Sequence, residues 1–398
     1  MQDSNYYATN TPDYFEHSYV GNLIRYQPGG MSPLFQLTSL SGETTAKAPE
    51  HGYMTKTLVF PSMTLTAAVA DGVATTFTVA STTNVLPNDM FRVQSTGEIV
   101  RVTSVTSGTA GVVERAAGVI AAAAIANSVV LYAVGNAHEQ GSVRPPSRLM
   151  NPVRVLNHTQ IFRNSWAIPG TVAAMTTTLG DSIVAESRAD CAFFHAADIE
   201  KALIFGQRSG RVGPNGQYLT TLDGVVESVR RLAPAANTVT LGATTNYTQL
   251  QAALNAGLNT VVMGTNTTER WLLAGGVAVQ VLNDIGRLSG QYQIVDGQTS
   301  FGLAFTSFRT ARGKYRIIEH ALLNTNAAWA TMAIAVHTES LKIAYLRRTS
   351  NQEFGTTGTP VDNGIDAVGG TLTTELTLEN VNPSAHVVLY GFTAAAAG

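Results

Sequence analysis

The sequence predicts a mixed α+β protein made of more than one compact unit, and three observations predict it. The chain has 398 residues, beyond the roughly 250–300 at which one hydrophobic core stops growing. Residues 64–137 carry short alternating runs of apolar and β-branched residues separated by turn formers. A long helix-forming stretch follows at 176–206, and helix-like and strand-like segments then alternate to the end of the chain.

Charged residues make up 13% of the chain and hydrophobic residues 44%, against about 25% charged in ordinary globular proteins. Thr, Ala, Gly, Ser and Asn fill that place. Small neutral residues suit surfaces that will be desolvated against another subunit, because interface cores are depleted in charge; a Thr-rich β protein is the plainer alternative. The net charge of −2 neither recruits nor strongly repels a polyanion, which argues against sequence-specific DNA binding. Cys191 is the single cysteine, so an internal disulfide framework and a multi-cysteine metal site are excluded. The chain opens "MQDSNYYATNTPDYFEHSYV", without the basic start and apolar run of a signal peptide, and a cytoplasmic site of synthesis is expected.

Residues 1–45 lack sustained periodicity and contain Pro12, Pro28, Gly29, Gly30 and Pro33, so an extended arm packing on a neighbour is expected. "HGYMTKTLVFPSMTL" (51–65) reads as strand broken by Pro61. In 64–137, "TTFTVAS", "DMFRVQS", "EIVRVTSV", "AGVVERA" and "SVVLYAV" are short strands, the pattern of a small antiparallel barrel or sandwich inserted in the scaffold. "AAGVIAAAAIANSVVLYAVG" (116–135) is too weakly apolar for a membrane span and reads as a helix or turn leading into a strand. "GSVRPPSRLMNP" (141–152) leads back to the scaffold.

The stretch 176–206 is expected to be one helix with Leu179, Ile183, Phe193, Phe194, Ala197 and Ile204 on one face. Glu186 and Asp190 share that face. Carboxylates in a core stripe require pairing or an interface, which marks both as interface candidates, and Gly206 stands where a glycine cap is favoured. Helices are then expected at 220–232, 246–258 and 266–288, a buried strand at 260–264, and two strands joined by a turn over 302–324. Strands follow at 341–348 and 369–392.

"GQRSGRVGPNGQ" (206–217) interleaves four glycines with Arg208 and Arg211. A phosphate loop would need a lysine and a hydroxyl residue and would open a helix, whereas this one follows a helix. It reads as a flexible corner whose arginines are available to a neighbouring subunit. The histidines at 17, 51, 138, 158, 195, 320, 337 and 386 form no HExxH-type pair. "GQTSFG" lacks nucleophile-elbow spacing, and Asp198 and Glu200 lie on different helix faces. No catalytic, cofactor or metal site is predicted.

The order of these segments resembles the major capsid proteins of tailed bacteriophages with the Hong Kong 97-like fold, closest to the short-tailed type with a β-rich insertion. The carrying residues are "VRVLNHTQIFRNSWAIPGT" (153–171), around Asn157-His158-Thr159-Gln160-Ile161-Phe162; "ADIEKALIFG" (197–206); and "LKIAYLRR" (341–348) followed by "TELTLENVNPSAHVVLYGF" (374–392). The resemblance implies an N-terminal arm (1–45) and an extended hairpin loop (46–152) whose legs are 46–63 and 138–152 and which bears the insertion (64–137), facing outward. It further implies a peripheral domain (153–224) with its spine helix (176–206), an axial domain (225–340), and C-terminal strands (341–398) returning to the peripheral domain.

It implies a structural protein, not an enzyme, that assembles with itself into hexamers and pentamers of an icosahedral head around double-stranded DNA. Assembly in the bacterial host cytoplasm would involve a scaffolding protein and a portal, with a decoration protein as an optional partner and no membrane. Gly206, Gly210 and Gly213 are the expected assembly hinge, and Arg208 and Arg211 the inward-facing basic candidates for weak, non-specific contact with the genome. Lys47 and Lys56 lie near the element through which some relatives crosslink, without a motif that assigns them that role. The rival readings are an encapsulin-like compartment shell protein and a phage tail component.

Overall fold

The computed structural model describes residues 33–56, 60–148, 150–175, 182–259, 268–289, 295–300, 303–310, 312–354 and 366–396. The chain divides into two compact units, one holding residues up to Tyr53 and from Leu156 onward, the other Met54–Val155. It leaves the first along Glu50–Thr55 and returns along Val153–His158, two strands that pair with each other. Among its described residues, the expected returning leg 138–152 contains no strand; the strand lies at Val153–His158.

Among the described residues, a four-stranded and a seven-stranded sheet are the larger sheets of the first unit. In the four-stranded sheet, Glu43–Thr45 pairs in parallel with Leu341–Phe354, which runs antiparallel to Ala367–Asn380, and that strand pairs antiparallel with Gln160–Pro169 over ten consecutive residues. Gln160–Pro169 buries Phe162, Trp166 and Ile168, half-buries Asn164 and exposes Arg163, Ser165 and Ala167, the period of two of a half-buried strand. The seven-stranded sheet runs Thr238–Thr240, Val387–Tyr390, Ala333–Val336, Glu269–Ala274, Lys314–Glu319, Leu303–Arg309, Val295–Ser300.

The 23-residue helix Ile183–Phe205, the spine helix, packs on the four-stranded sheet. Its Ile199, Leu203 and Ile204 join Leu376 and Leu378 of one sheet and Leu273, Ile334 and Val388 of the other in a single core. On the other face of the seven-stranded sheet, the helices Tyr247–Asn255 and Gly276–Ser289 bury Leu250, Leu254, Leu282 and Ile285 against Leu272, Tyr315 and Leu389. Leu272 and Leu273 thus feed different cores from adjacent positions.

Several expectations are corrected. The helix expected over 266–288 is instead a strand, Glu269–Ala274, followed by the helix Gly276–Ser289; residues 266–267 lie outside the described residues. A strand buried on both faces is a continuous apolar run that periodicity cannot tell from a helix. The break falls at Gly275, where a Cβ would lie 2.5 Å from the Ala330 carbonyl oxygen. The helix expected at 220–232 starts only at Val225, with strand at Tyr218–Thr221 before it. The first 45 residues are not wholly an arm. Pro33–Leu40 is a helix, with proline at the first position where its missing N–H costs nothing, and its Leu34 and Leu37 enter the unit's own core. Residues 1–32, 176–181 and the strand expected at 260–264 lie outside the described residues.

The second unit is a barrel. Its six strands run in the order Ser62–Thr64, Val130–Asn136, Asp89–Val93, Ile99–Ser107, Ala110–Glu114, Thr76–Thr78. The last closes on the first through the Leu65–Val79 bridge, with Thr66 N–H donating to Thr78 at 3.0 Å and Ala80 N–H to Thr64 at 2.8 Å. Phe77, Phe91, Val93, Val100 and Leu131 fill it completely buried, each contributing about 1.5–3 kcal/mol. The alanine-rich stretch before Val130 is turn and extended chain, not helix. No helix among the described residues is long and apolar enough to cross a membrane.

Candidate assembly site

The glycine-rich corner is an ordered hairpin. Ser209–Val212 pairs antiparallel with Tyr218–Thr221, and Gly216 takes the left-handed conformation (φ +76°) in the turn. Gly206 ends the spine helix at φ −54°, ψ 144°, so it is not the left-handed cap. It is glycine because of close approach: a Cβ would meet the carbonyl oxygens of Ala202 at 2.5 Å and Leu222 at 2.7 Å. A Cβ at Gly210 would meet the Tyr218 side chain, its hydroxyl and its Cζ at 2.9 Å, and no backbone, and Gly213 has ordinary contacts. Arg208 donates to the Leu156 carbonyl at 2.8 Å, and Arg211 lies exposed on the hairpin.

On the spine helix the buried residues are Cys191, His195, Ala197, Ile199, Glu200, Leu203 and Ile204. Phe194, expected inside, is 61% exposed. Asp190 is exposed and Glu186 half-buried, so neither sits in the core stripe; the buried carboxylate of the helix is Glu200. The face drawn from the sequence misplaces them because the residues the helix buries, from Cys191 to Ile204, lie largely on another side of its axis.

Glu200 is fully buried and fully partnered. It accepts the N–H groups of Leu34 at 2.8 Å and Phe35 at 2.9 Å, and faces His320 Nε2 at 2.8 Å. It thereby supplies, from a helix far along the chain, the anionic cap that a helix N-terminus attracts. Nothing local in the sequence signals that pairing. His195 lies between Asn164 Oδ1 at 2.7 Å and the Thr374 hydroxyl at 2.8 Å, joining the spine helix to two strands, and burial lowers its pKa.

The Asn157-to-Phe162 segment works as a joint. Asn157 Oδ1 accepts the N–H of Asp223 at 2.7 Å and of His158 at 2.8 Å, while its Nδ2 donates to the carbonyls of Asp223 at 3.0 Å and Leu378 at 2.8 Å. Thr159 donates to Glu375 at 3.0 Å and Gln160 Oε1 accepts the Leu222 N–H at 3.1 Å. The segment therefore fastens the chain entering the four-stranded sheet to the chain leaving the hairpin. Asp223 is held beside Arg231 at 2.6 Å, and burial raises its pKa despite that partner.

His386, wholly buried, accepts the His337 N–H on Nδ1 at 3.0 Å and faces Asn380 Oδ1 through Nε2 at 3.0 Å. Burial first, then the neighbouring His337 and Arg270, push its pKa well down, and the imidazole is neutral. Arg270, also buried, donates to the carbonyls of Ala385, Gly257 and Glu269. These groups are saturated by structural bonds, and among the described residues no set of three His, Cys, Asp or Glu is arranged to hold a metal ion. Burial raises the Cys191 thiol pKa, the reverse of what a nucleophile needs.

In the barrel, Arg115 forms a two-pronged pair with Glu98 at 2.7 and 2.8 Å and donates to the carbonyls of Asp71, Ala74 and Ala123. Its guanidinium stands 5.5 Å from the Phe77 ring centre. Burial opposes ionisation of Glu98, but Arg115 and the Ala116 N–H outweigh it and keep the carboxyl below its usual range.

Glu200, His195, Asn157 and Arg270 thus serve as joints between elements. In fold the chain is similar to a solved chain of Mycobacterium phage Bobi (TM-score 0.50, 11% identity, 97% of this chain and 99% of that one). It is equally similar to a chain from the capsid of a native GTA particle (TM-score 0.50, 9% identity, 99% and 100%). The class so defined is a mixed α+β fold shared with these two chains. A curated major capsid protein, from Pseudomonas phage PaMx41, is 37% identical over 389 residues, covering 94% of this chain and 92% of its own. The family model described as SU10 major capsid protein matches residues 2–393, and the chain belongs to that family: it is a phage major capsid protein, a structural component of the virion shell.

Proposed function

We propose that the chain has the Hong Kong 97-like arrangement and that its copies form the hexamers and pentamers of an icosahedral head enclosing double-stranded DNA. The observation that carries this is the pairing of Gln160–Pro169 with Ala367–Asn380 beneath the spine helix, since it unites the start and end of the scaffold in one peripheral domain. The seven-stranded sheet is then the axial domain, and the barrel Met54–Val155 the outward-facing insertion on the extended hairpin loop. Assembly in the host cytoplasm with a scaffolding protein and a portal, and docking of a decoration protein on the barrel, belong to the same reading.

A charge content of 13% and a net charge of −2 suit a surface buried against other copies and a genome held by weak, non-specific contact. Glu186 and Asp190 on the spine helix serve subunit contact in this reading, and Gly210 and Gly213 let the hairpin adjust between non-identical environments. Electron microscopy of the protein expressed with and without its scaffolding partner tests the proposal: closed icosahedral shells are expected, and dispersed subunits in both preparations overturn it.

A further inference from the structure

We propose that the turn joining Leu303–Arg309 to Lys314–Glu319, with the sheet face beside it, binds the phosphate backbone of the enclosed duplex DNA, an assignment that rests on the shell reading above. "RTARGKYR" (309–316) holds four cations and no acid. Arg309 stands directly opposite Lys314, and Ser307 opposite Arg316, so the period of two puts Arg309, Lys314 and Arg316 on one face. On the next strand Glu269 pairs with Lys314 and Trp271 with Arg316, which extends that face. The other face is apolar: Phe308, Tyr315 and Ile317 are buried in the core that holds Leu250 and Leu282. The turn is held in shape, with the Thr310 N–H donating to the Gly313 carbonyl at 2.8 Å and the Gly313 N–H to the Thr310 hydroxyl at 3.1 Å.

The acids at hand leave these cations in excess. Arg316 donates to Glu269 at 2.9 Å and stands 5.0 Å from the Trp271 ring centre, while Lys314 reaches the same carboxylate only at 4.0 Å. Arg312, exposed at the turn, donates to the neutral Asn259 amide oxygen at 3.1 Å. Arg309 is exposed and has no hydrogen-bond or ion-pair partner among the described residues. The adjoining strand Val295–Ser300 adds one acid, Asp296, so four cations answer to two carboxylates. Like charges directly opposite each other destabilise a sheet, and phosphates laid across Arg309 and Lys314 remove that cost. A second copy is poorly equipped to supply the anions: among the described side chains, every carboxylate except Asp366 already has a hydrogen-bond or ion-pair partner. Duplex DNA, by contrast, carries one negative charge per about 1.7 Å of its axis. The hairpin Ser209–Thr221 offers less, because Arg208 is committed to Leu156 and Arg211 stands alone there.

The test treats DNA-filled particles with formaldehyde, which joins a lysine amine to a base amine, and reads the adducts by mass spectrometry after nuclease and protease digestion. The chain has lysines at 47, 56, 201, 314 and 342, so each adduct is assignable. A nucleotide adduct on Lys314 is expected. Filled particles without one overturn the assignment while leaving the shell reading intact; absence of particles from the unaltered chain overturns the shell reading itself. In parallel, a duplex of about 20 base pairs is titrated with unassembled subunits at several salt concentrations. Arg309→Gln with Lys314→Gln should reduce the slope of log affinity against log salt by about 1.8, at about 0.9 per phosphate contact. Arg309→Gln alone, which leaves Lys314 beside Glu269, should reduce it by about 0.9 and serves if the double variant does not fold. An unchanged slope, or no binding by the unaltered subunit at about 50 mM salt, overturns the proposal.

Discussion

Glu200 and His320, 120 residues apart, meet at 2.8 Å with both side chains wholly buried, and the same carboxylate caps the helix Pro33–Leu40. One group thus ties the first described helix, the spine helix and the segment after Lys314–Glu319 together. Glu200→Ala leaves two amide donors and an imidazole nitrogen without their acceptor. Removing one member of a buried pair costs about 3–5 kcal/mol, so urea unfolding of unassembled subunits is expected to shift by that amount. Glu200→Gln, which keeps one acceptor oxygen, should lose less; equal losses would rule out the capping role.

Asn157 is used at both ends of its amide. Asn157→Asp replaces a donor that serves two carbonyls with an acceptor that repels them, and a cost of about 1–3 kcal/mol follows from the unsatisfied groups. Hydrogen exchange at the Asp223 amide should accelerate in step with the loss of global stability; an unchanged rate would count against the joint.

Gly206 and Gly210 are expected to separate. Gly206→Val drives a side chain into two backbone oxygens and should destabilise the isolated subunit, lowering its melting temperature before any assembly. Gly210→Val displaces only the exposed Tyr218 side chain and should cost the subunit's melting temperature less than Gly206→Val while lowering closed-shell yield. Normal shells from Gly210→Val would remove that position from the hinge.

Acid should weaken the subunit through His386. Its folded pKa lies well below the ordinary value of 6.5, so below that value the unfolded chain binds a proton that the folded chain refuses. The stability is complete above about pH 6.5 and falls by about 1.4 kcal/mol per pH unit beneath it. His195, shifted the same way by burial, adds to the slope. Urea midpoints measured from pH 7.5 to 5 should decline, and His386→Gln should flatten part of the decline; a level profile for the unaltered protein contradicts this account.

Arg115→Ala strands the buried Glu98 carboxylate in the barrel. A loss of about 3–5 kcal/mol is expected, confined to Met54–Val155. Limited proteolysis should cut there while the spine helix stays protected, and uniform resistance would show that the pair is dispensable.

The barrel was legible because each of its short strands alternates and is bounded by turn formers, so local pattern and final structure agree. The C-terminal strands are legible for the same reason, and the spine helix by its length, though not the face it buries. Glu269–Ala274 was not, since a strand buried on both faces has no period to read. Nor were the joints: the partners of Glu200 lie 165 and 166 residues before it and 120 after it, and no local pattern encodes such distances. The sequence marks Gly206 as a helix end, but not the close approach of the Leu222 carbonyl that requires glycine there, which exists only once the chain has turned back. Arg208 and Arg211 are visible in the sequence by their charge, whereas the hairpin that carries Arg211 is not, because its glycines mask the alternation of a strand.

The closure of the barrel through Leu65 and Val79 has a consequence at high concentration. Every strand there has a partner on both sides, so no row of free amides and carbonyls is left to recruit a strand from another molecule. A cell filling with newly made subunits can hold many such barrels side by side without their fusing into fibrils.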